Sequence, residues 1–82
     1  MINGIYTIFD KVAMESGPLF EAKNDGVAQR QYSQFMETIQ KQDKTEFKML
    51  KLGSINHETN QIEKLSIPEE IIANLSMEEE NE

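Results

Sequence analysis

Cysteine is absent from this 82-residue chain, which removes disulfides, thiolate metal sites and a cysteine nucleophile from consideration. The single histidine, His57, lies in a cluster of turn-forming residues, and the remaining candidates are carboxylates and hydroxyls scattered along the chain, so general acid–base or nucleophilic catalysis has no supporting set. No catalytic residue is assigned, and the chain is read as a non-enzyme. The four glycines (Gly4, Gly17, Gly26 and Gly53) stand too far apart for a phosphate-cradling loop. The glutamates near the C-terminus lack the central glycine and ligand spacing of a calcium loop, so no metal site and no cofactor is expected. No apolar run approaches the roughly 20 residues of a membrane-spanning helix. The N-terminal residues lack the basic and apolar regions of a secretory signal, so the expected location is the compartment of synthesis.

Positive charge is scarce, and it is unevenly placed. Fifteen acidic and eight basic side chains leave a net charge of -7. From Glu69 onward there are carboxylates but no Lys or Arg, so residues 1–68 are close to neutral and the C-terminal end carries most of the excess. Such a balance works against non-specific attraction to phosphate backbones or anionic lipid. A chain this short hides only about 60% of its unfolded surface on folding, which limits it to one thin-cored domain.

Several segments carry clear local signals. Residues 5–13 are rich in β-branched and aromatic types with apolar groups on both faces, which predicts an interior strand ended by Gly17-Pro18. Leu19, Phe20 and Ala22 are then expected to pin a crossing loop onto the core. Asn24 and Asp25 supply a helix start, and Val27, Ala28, Tyr32, Phe35, Met36 and Ile39 form one apolar stripe at helical spacing. Phe47 to Leu52 and Gln61 to Leu65 read as two strands around a turn at residues 56–60, in which Asn60 is the best candidate for a positive φ. Pro68 suits the first position of a short terminal helix with Ser66 as its cap.

The expected fold class is α+β. It is a small two-layer βαββ domain with one main helix on a three-stranded mixed sheet, a short C-terminal helix and an acidic tail. Residues 1–75 form the domain and residues 76–82 the tail. The right-handed crossover rule makes the first strand parallel to its neighbour in the hairpin. One sheet face stays open, available to the terminal helix, a second copy or another protein.

Two kinds of contact follow from charge. Lys11, Lys23, Arg30 and Lys41 belong to a stretch with a slight excess of bases, and Arg30 falls roughly 200° around the helix from Ala28, toward solvent. They are the candidate nucleic-acid contacts. Lys48 and Lys51 lie on opposite faces of their strand and cannot form one basic surface. Tyr6 and Phe9 could stack on bases but fit the core more simply. Glu78, Glu79, Glu80 and Glu82 are the candidate contacts to a basic partner.

The residues Tyr6-Thr7-Ile8-Phe9-Asp10-Lys11-Val12-Ala13, the run from Gly17-Pro18-Leu19-Phe20 through Gly26-Val27-Ala28-Gln29-Arg30, and Leu52-Gly53-Ser54-Ile55-Asn56 through Gln61-Ile62 occur in this order. Together they resemble the small nonstructural protein of gokushovirus-type microviruses, which are single-stranded DNA bacteriophages. The resemblance covers roughly residues 5–65. Residues 18–30 are its most specific part, with Asn24, Asp25, Ala28 and Arg30 matching the helix-start motif. It implies a nonstructural phage protein in the bacterial host cytoplasm that assists viral DNA replication at the switch to single-stranded genome synthesis and packaging, by weak or oligomer-dependent binding of single-stranded DNA. The residue chemistry offers a different class of function: an acidic adaptor that binds a basic phage or host replication protein without touching DNA. The partners expected are therefore single-stranded DNA, a basic replication or packaging protein, or a second copy docked through the open sheet face, and no membrane.

Overall fold

The structure is a computed structural model that describes residues 1–38 and 46–72. The described chain forms a four-stranded, wholly antiparallel sheet with one helix. Its elements run β1 (Ile2–Asp10), β2 (Glu15–Ala22), α1 (Asp25–Glu37), β3 (Phe47–Asn56) and β4 (Gln61–Ile71), in the sheet order β2-β1-β3-β4. This corrects the expected βαββ arrangement, its three-stranded mixed sheet and its terminal helix.

The first correction lies at residues 15–22, expected as a loop. β1 ends at Asp10 because the Asp10 carboxylate accepts hydrogen bonds from the Val12 and Ala13 amides and turns the chain. The chain then returns as β2, pairing Thr7 with Leu19, Tyr6 with Phe20 and Gly4 with Ala22. Gly17 and Pro18 fall where the ladder is irregular, and the Thr7 hydroxyl donates to their carbonyls at 3.1 and 3.3 Å. Proline is tolerated because β2 is an edge strand whose outer side needs no amide hydrogen. With β2 present, α1 joins β2 to β3. These two strands run in the same direction with β1 between them, so β1 meets β3 antiparallel rather than parallel.

The second correction lies at the C-terminal end of the described chain. Pro68 starts no helix; it sits in β4, the other edge strand. The ladder to β3 breaks between the pairs Gly53–Lys64 and Lys51–Glu69, and residues 65–68 have no partner on β3. Beyond the break Ile71 comes opposite Met49 and is buried with it under the helix, a gain that an exposed terminal helix would forgo. Residues 73–75 of the expected helix and the acidic tail lie outside the described residues.

The helix and hairpin follow their sequence signals. The Asn24 side chain accepts from the Val27 amide at 2.9 Å, capping α1, and Ala28, Tyr32 and Met36 form its buried line. Asn60 takes a φ of 65° in the turn between β3 and β4. The core is Tyr6, Ala22, Ala28, Tyr32, Met36, Met49 and Ile71, flanked by Ile8, Phe20, Val27 and Phe47. All of it lies between α1 and one sheet face. No helix of the described residues is long and apolar enough to cross a membrane.

Two substitutions test this architecture. Gly53 is buried against β4, where an added Cβ would collide with the Glu63 carbonyl oxygen and stand 2.9 Å from the Lys64 Cα. Backbone cannot give way as a flexible side chain can, so Gly53→Ala is expected to cost about 1–3 kcal/mol in urea unfolding. The Tyr6 hydroxyl donates to Asp25 at 2.7 Å, and Tyr6→Phe removes that bond to a charged acceptor, with an expected loss of about 1–2 kcal/mol in the same measurement.

Candidate functional site

One helix leaves two apolar grooves beside the sheet, and both adjoin β2. The first, about 420 Å³, opens between α1 and β2. Its apolar wall is Ile8, Leu19, Phe20, Phe35 and Phe47, and Asp10 and Glu15 stand at its end. It exists because α1 turns the line Ala28, Tyr32 and Met36 into the core, which leaves Phe35 to one side. Phe35 remains 41% exposed and meets Phe47 edge to face, with ring centroids 6.4 Å apart. The second groove, about 390 Å³, is lined by Ile5, Leu19, Phe20, Glu21, Ile55 and Ile62. Ile5, Leu19, Ile55 and Ile62 belong to the face without a helix, as the register pairs Thr7 with Leu19, Asn3 with Ile55 and Ile55 with Ile62. Leu19 and Ile62 are 62% and 64% exposed.

The electrostatics of the two grooves are one-sided. Their lining residues include the carboxylates Asp10, Glu15 and Glu21 and no Lys, Arg or His. Glu21 is already engaged at one end of the sheet: one of its oxygens lies 2.7 Å from His57 Nε2 and 3.1 Å from Asn3 Nδ2. These hydrogen bonds, that of His57 first, hold the Glu21 carboxyl below its usual range. The other linked polar group lies under the helix, where Tyr6 donates to Asp25 and Lys51 reaches the same carboxylate oxygen at 4.0 Å. Burial first, and the Asp25 carboxylate second, push the Tyr6 hydroxyl well above the ordinary tyrosine range. Burial likewise raises Tyr32, with a smaller contribution from Glu70. Among the described residues, no three His, Asp or Glu side chains come together as a metal site.

The bases singled out from the sequence are dispersed. Lys11 follows Asp10 at one end of the β1–β2 pair, and Lys23 follows Ala22 at the other, a separation of about 20 Å along the strands. Arg30 is exposed on α1, away from its buried line. These three do not make one patch. Lys41 lies outside the described residues, as do Glu78, Glu79, Glu80 and Glu82.

Sequence reasoning did not find the surface beside β2, nor a pairing on the open face. There Lys48 lies over the Phe9 ring, 5.6 Å from its centroid, while Lys51 points to the helix side. Tyr6, by contrast, is fully buried and unavailable for stacking on a base. The alternation of Leu19 and Glu21 against Phe20 and Ala22 was the available signal for an edge strand, and it was masked by the adjacent Gly17-Pro18.

The family model for phage ORF5 proteins matches residues 3–77. No curated protein and no solved structure matches the chain.

The Glu21 cluster predicts a pH effect. A carboxyl held below its usual value in the folded state adds stability above its unfolded value, near 4.5, and loses it as pH falls through the depressed folded value. Glu21→Gln is therefore expected to lower the urea midpoint at neutral pH and to make the decline below pH 4.5 shallower than in the unaltered chain. Parallel declines for the two proteins would show that the contact contributes nothing.

Proposed function

The chain belongs to the phage ORF5 protein family, and from that premise we propose that it is a nonstructural protein of a gokushovirus-type microvirus, acting in the host cytoplasm as a non-enzymatic adaptor for viral DNA replication. Its partner is a basic phage or host protein of replication or packaging. One observation carries this reading: the apolar grooves beside β2 are lined by carboxylates and no base, while Lys11, Lys23 and Arg30 lie apart. Apolar surface rimmed by polar groups suits a protein, whereas phosphate requires converging bases. The C-terminal carboxylates Glu78, Glu79, Glu80 and Glu82 add to the attraction for a basic partner.

A second reading, weak or oligomer-dependent contact with single-stranded DNA, draws on the open face. Phe9 offers a ring and Lys48 a charge at the same place, the combination used to stack bases and follow a backbone. Net charge opposes it in a monomer.

Oligo(dT) binding at low salt separates the two. The adaptor reading expects no saturable binding at micromolar protein, together with crosslinking in infected cells to a replication or packaging protein that Leu19→Lys abolishes. Saturable oligo(dT) binding that weakens with salt and is lost in Phe9→Ser and Lys48→Glu would replace the adaptor reading with the DNA reading.

A further inference from the structure

β2 has an unpaired outer side among the described residues, and all its residues from 15 to 21 except Phe20 are exposed. Bare strand edges are usually shortened, broken or covered. Pro18 breaks this one, yet residues 19–22 continue as regular strand paired to β1. Along them the side chains alternate, with Leu19 and Glu21 toward the open face and Phe20 and Ala22 toward the helix face. An apolar groove adjoins each face at Leu19 and Phe20.

This juxtaposition has a direct geometric meaning. Successive side chains of a strand laid beside β2 would point alternately to the two faces. One set would lie over Phe20, at the β2 rim of the first groove, and the other over Leu19, at the β2 rim of the second. Main-chain bonds to residues 19–22 would hold the register, and the apolar rims at Leu19 and Phe20 would select the side chains.

Charge decides among the occupants. The carboxylates Asp10, Glu15 and Glu21 line the grooves without any base, so phosphate is repelled. A second copy fits poorly as well. Pairing β2 with its twin would bring a second Glu15 and Glu21 into the same acidic surroundings, and like charges on neighbouring strands destabilise pairing.

We propose that the outer edge of β2 at residues 19–22 is a strand-addition site for an extended segment of a protein partner, with apolar side chains on both faces and Lys or Arg at its ends. The inference rests on the adaptor reading and specifies how that partner is held. The paired stretch is short, because Pro18 has no amide hydrogen and stands at the irregularity in the ladder. Much of the selectivity therefore comes from Leu19 and Phe20 at the groove rims.

The test uses the full chain and a fluorescein-labelled peptide, Lys-Val-Ile-Val-Phe-Lys, in three forms: unmodified, N-methylated at one alternating set of amides, and N-methylated at the other. Fluorescence anisotropy at low salt is expected to show saturable binding of the unmodified peptide. One methylated form should bind about tenfold or more weakly and the other nearly as well, because only one set of amides faces β2. Amide NMR shifts should centre on residues 19–22, and Leu19→Lys, at an exposed position, should reduce binding while keeping the parent spectrum elsewhere.

Equal behaviour of the two methylated forms would overturn strand addition while leaving a protein-docking groove, and hence the adaptor reading, in place. No binding of the unmodified peptide would also overturn the site as described. So would light scattering that shows a dimer which the peptide cannot dissociate. Failure of the adaptor reading itself is registered separately, by oligo(dT) binding.

Discussion

The hydrogen bond from the buried Tyr6 hydroxyl to Asp25 is the junction through which the layers of this small protein are joined. Tyr6 is on the central strand β1, and its ring lies back over Gly4, where an added Cβ would stand only 2.6 Å from the ring. On the neighbouring strand Phe20 stacks against it, with centroids 5.7 Å apart. Its hydroxyl reaches the first turn of α1, and the same Asp25 oxygen lies 4.0 Å from Lys51 on β3. One side chain thus joins β1, β2 and the helix, and Asp25 extends the link to β3. A buried phenol needs an acceptor, and a carboxylate in the first turn of a helix is favoured by the helix dipole. The requirements of the ring, the helix start and the strand register are therefore met by the same atoms.

Geometry explains the surface that remains. Four strands about 4.8 Å apart make a sheet about 19 Å wide, roughly twice the diameter of one helix. Among the described residues a single α1 cannot cover one face completely and leaves the other without a helix. The apolar residues needed for a thin core spill over at Phe35, which is part-exposed, and at Leu19 and Ile62, which are largely exposed. Both edge strands carry a proline at an irregularity, Pro18 in β2 and Pro68 in β4. These breaks limit the growth of the sheet by pairing with further copies while leaving short regular stretches. Exposed apolar grooves and interrupted edges are compatible on that basis: the protein keeps a sticky surface without a long self-complementary edge.

Those prolines also mark where the sequence was hardest to read. The helix was legible because its signals are local: the cap at Asn24 and the spacing of Ala28, Tyr32 and Met36. The hairpin was legible for the same reason, down to the positive φ at Asn60. Pro18 and Pro68 carry no such fixed meaning, since proline ends a strand in the middle of a sheet and is tolerated at its edge. Which position applies depends on partners distant in sequence. With residues 15–22 as a loop, the crossover rule makes β1 parallel to its neighbour; with β2 present, the crossover joins β2 to β3 and β1 is antiparallel to both. The site was less legible than the fold. Lys11, Lys23 and Arg30 are close to one another only in a tally of charges, whereas Leu19 and Phe20 gain their significance from Phe35, Phe47 and Ile62, which the fold brings beside them.

The charge imbalance acquires a specific role under the adaptor reading. Proteins that hold DNA do so with basic segments, and an acidic, apolar-grooved adaptor would compete with phosphate for them. On that reading the net charge of -7 would draw a basic partner in at long range, an effect that salt screens over about 8 Å at physiological ionic strength. The apolar grooves act only on contact and are far less sensitive to salt. A partner held by both forces would associate more slowly as salt rises, yet dissociate at a nearly constant rate. Acidity that disfavours direct contact with DNA is thus the property by which this protein could reach the proteins that bind it.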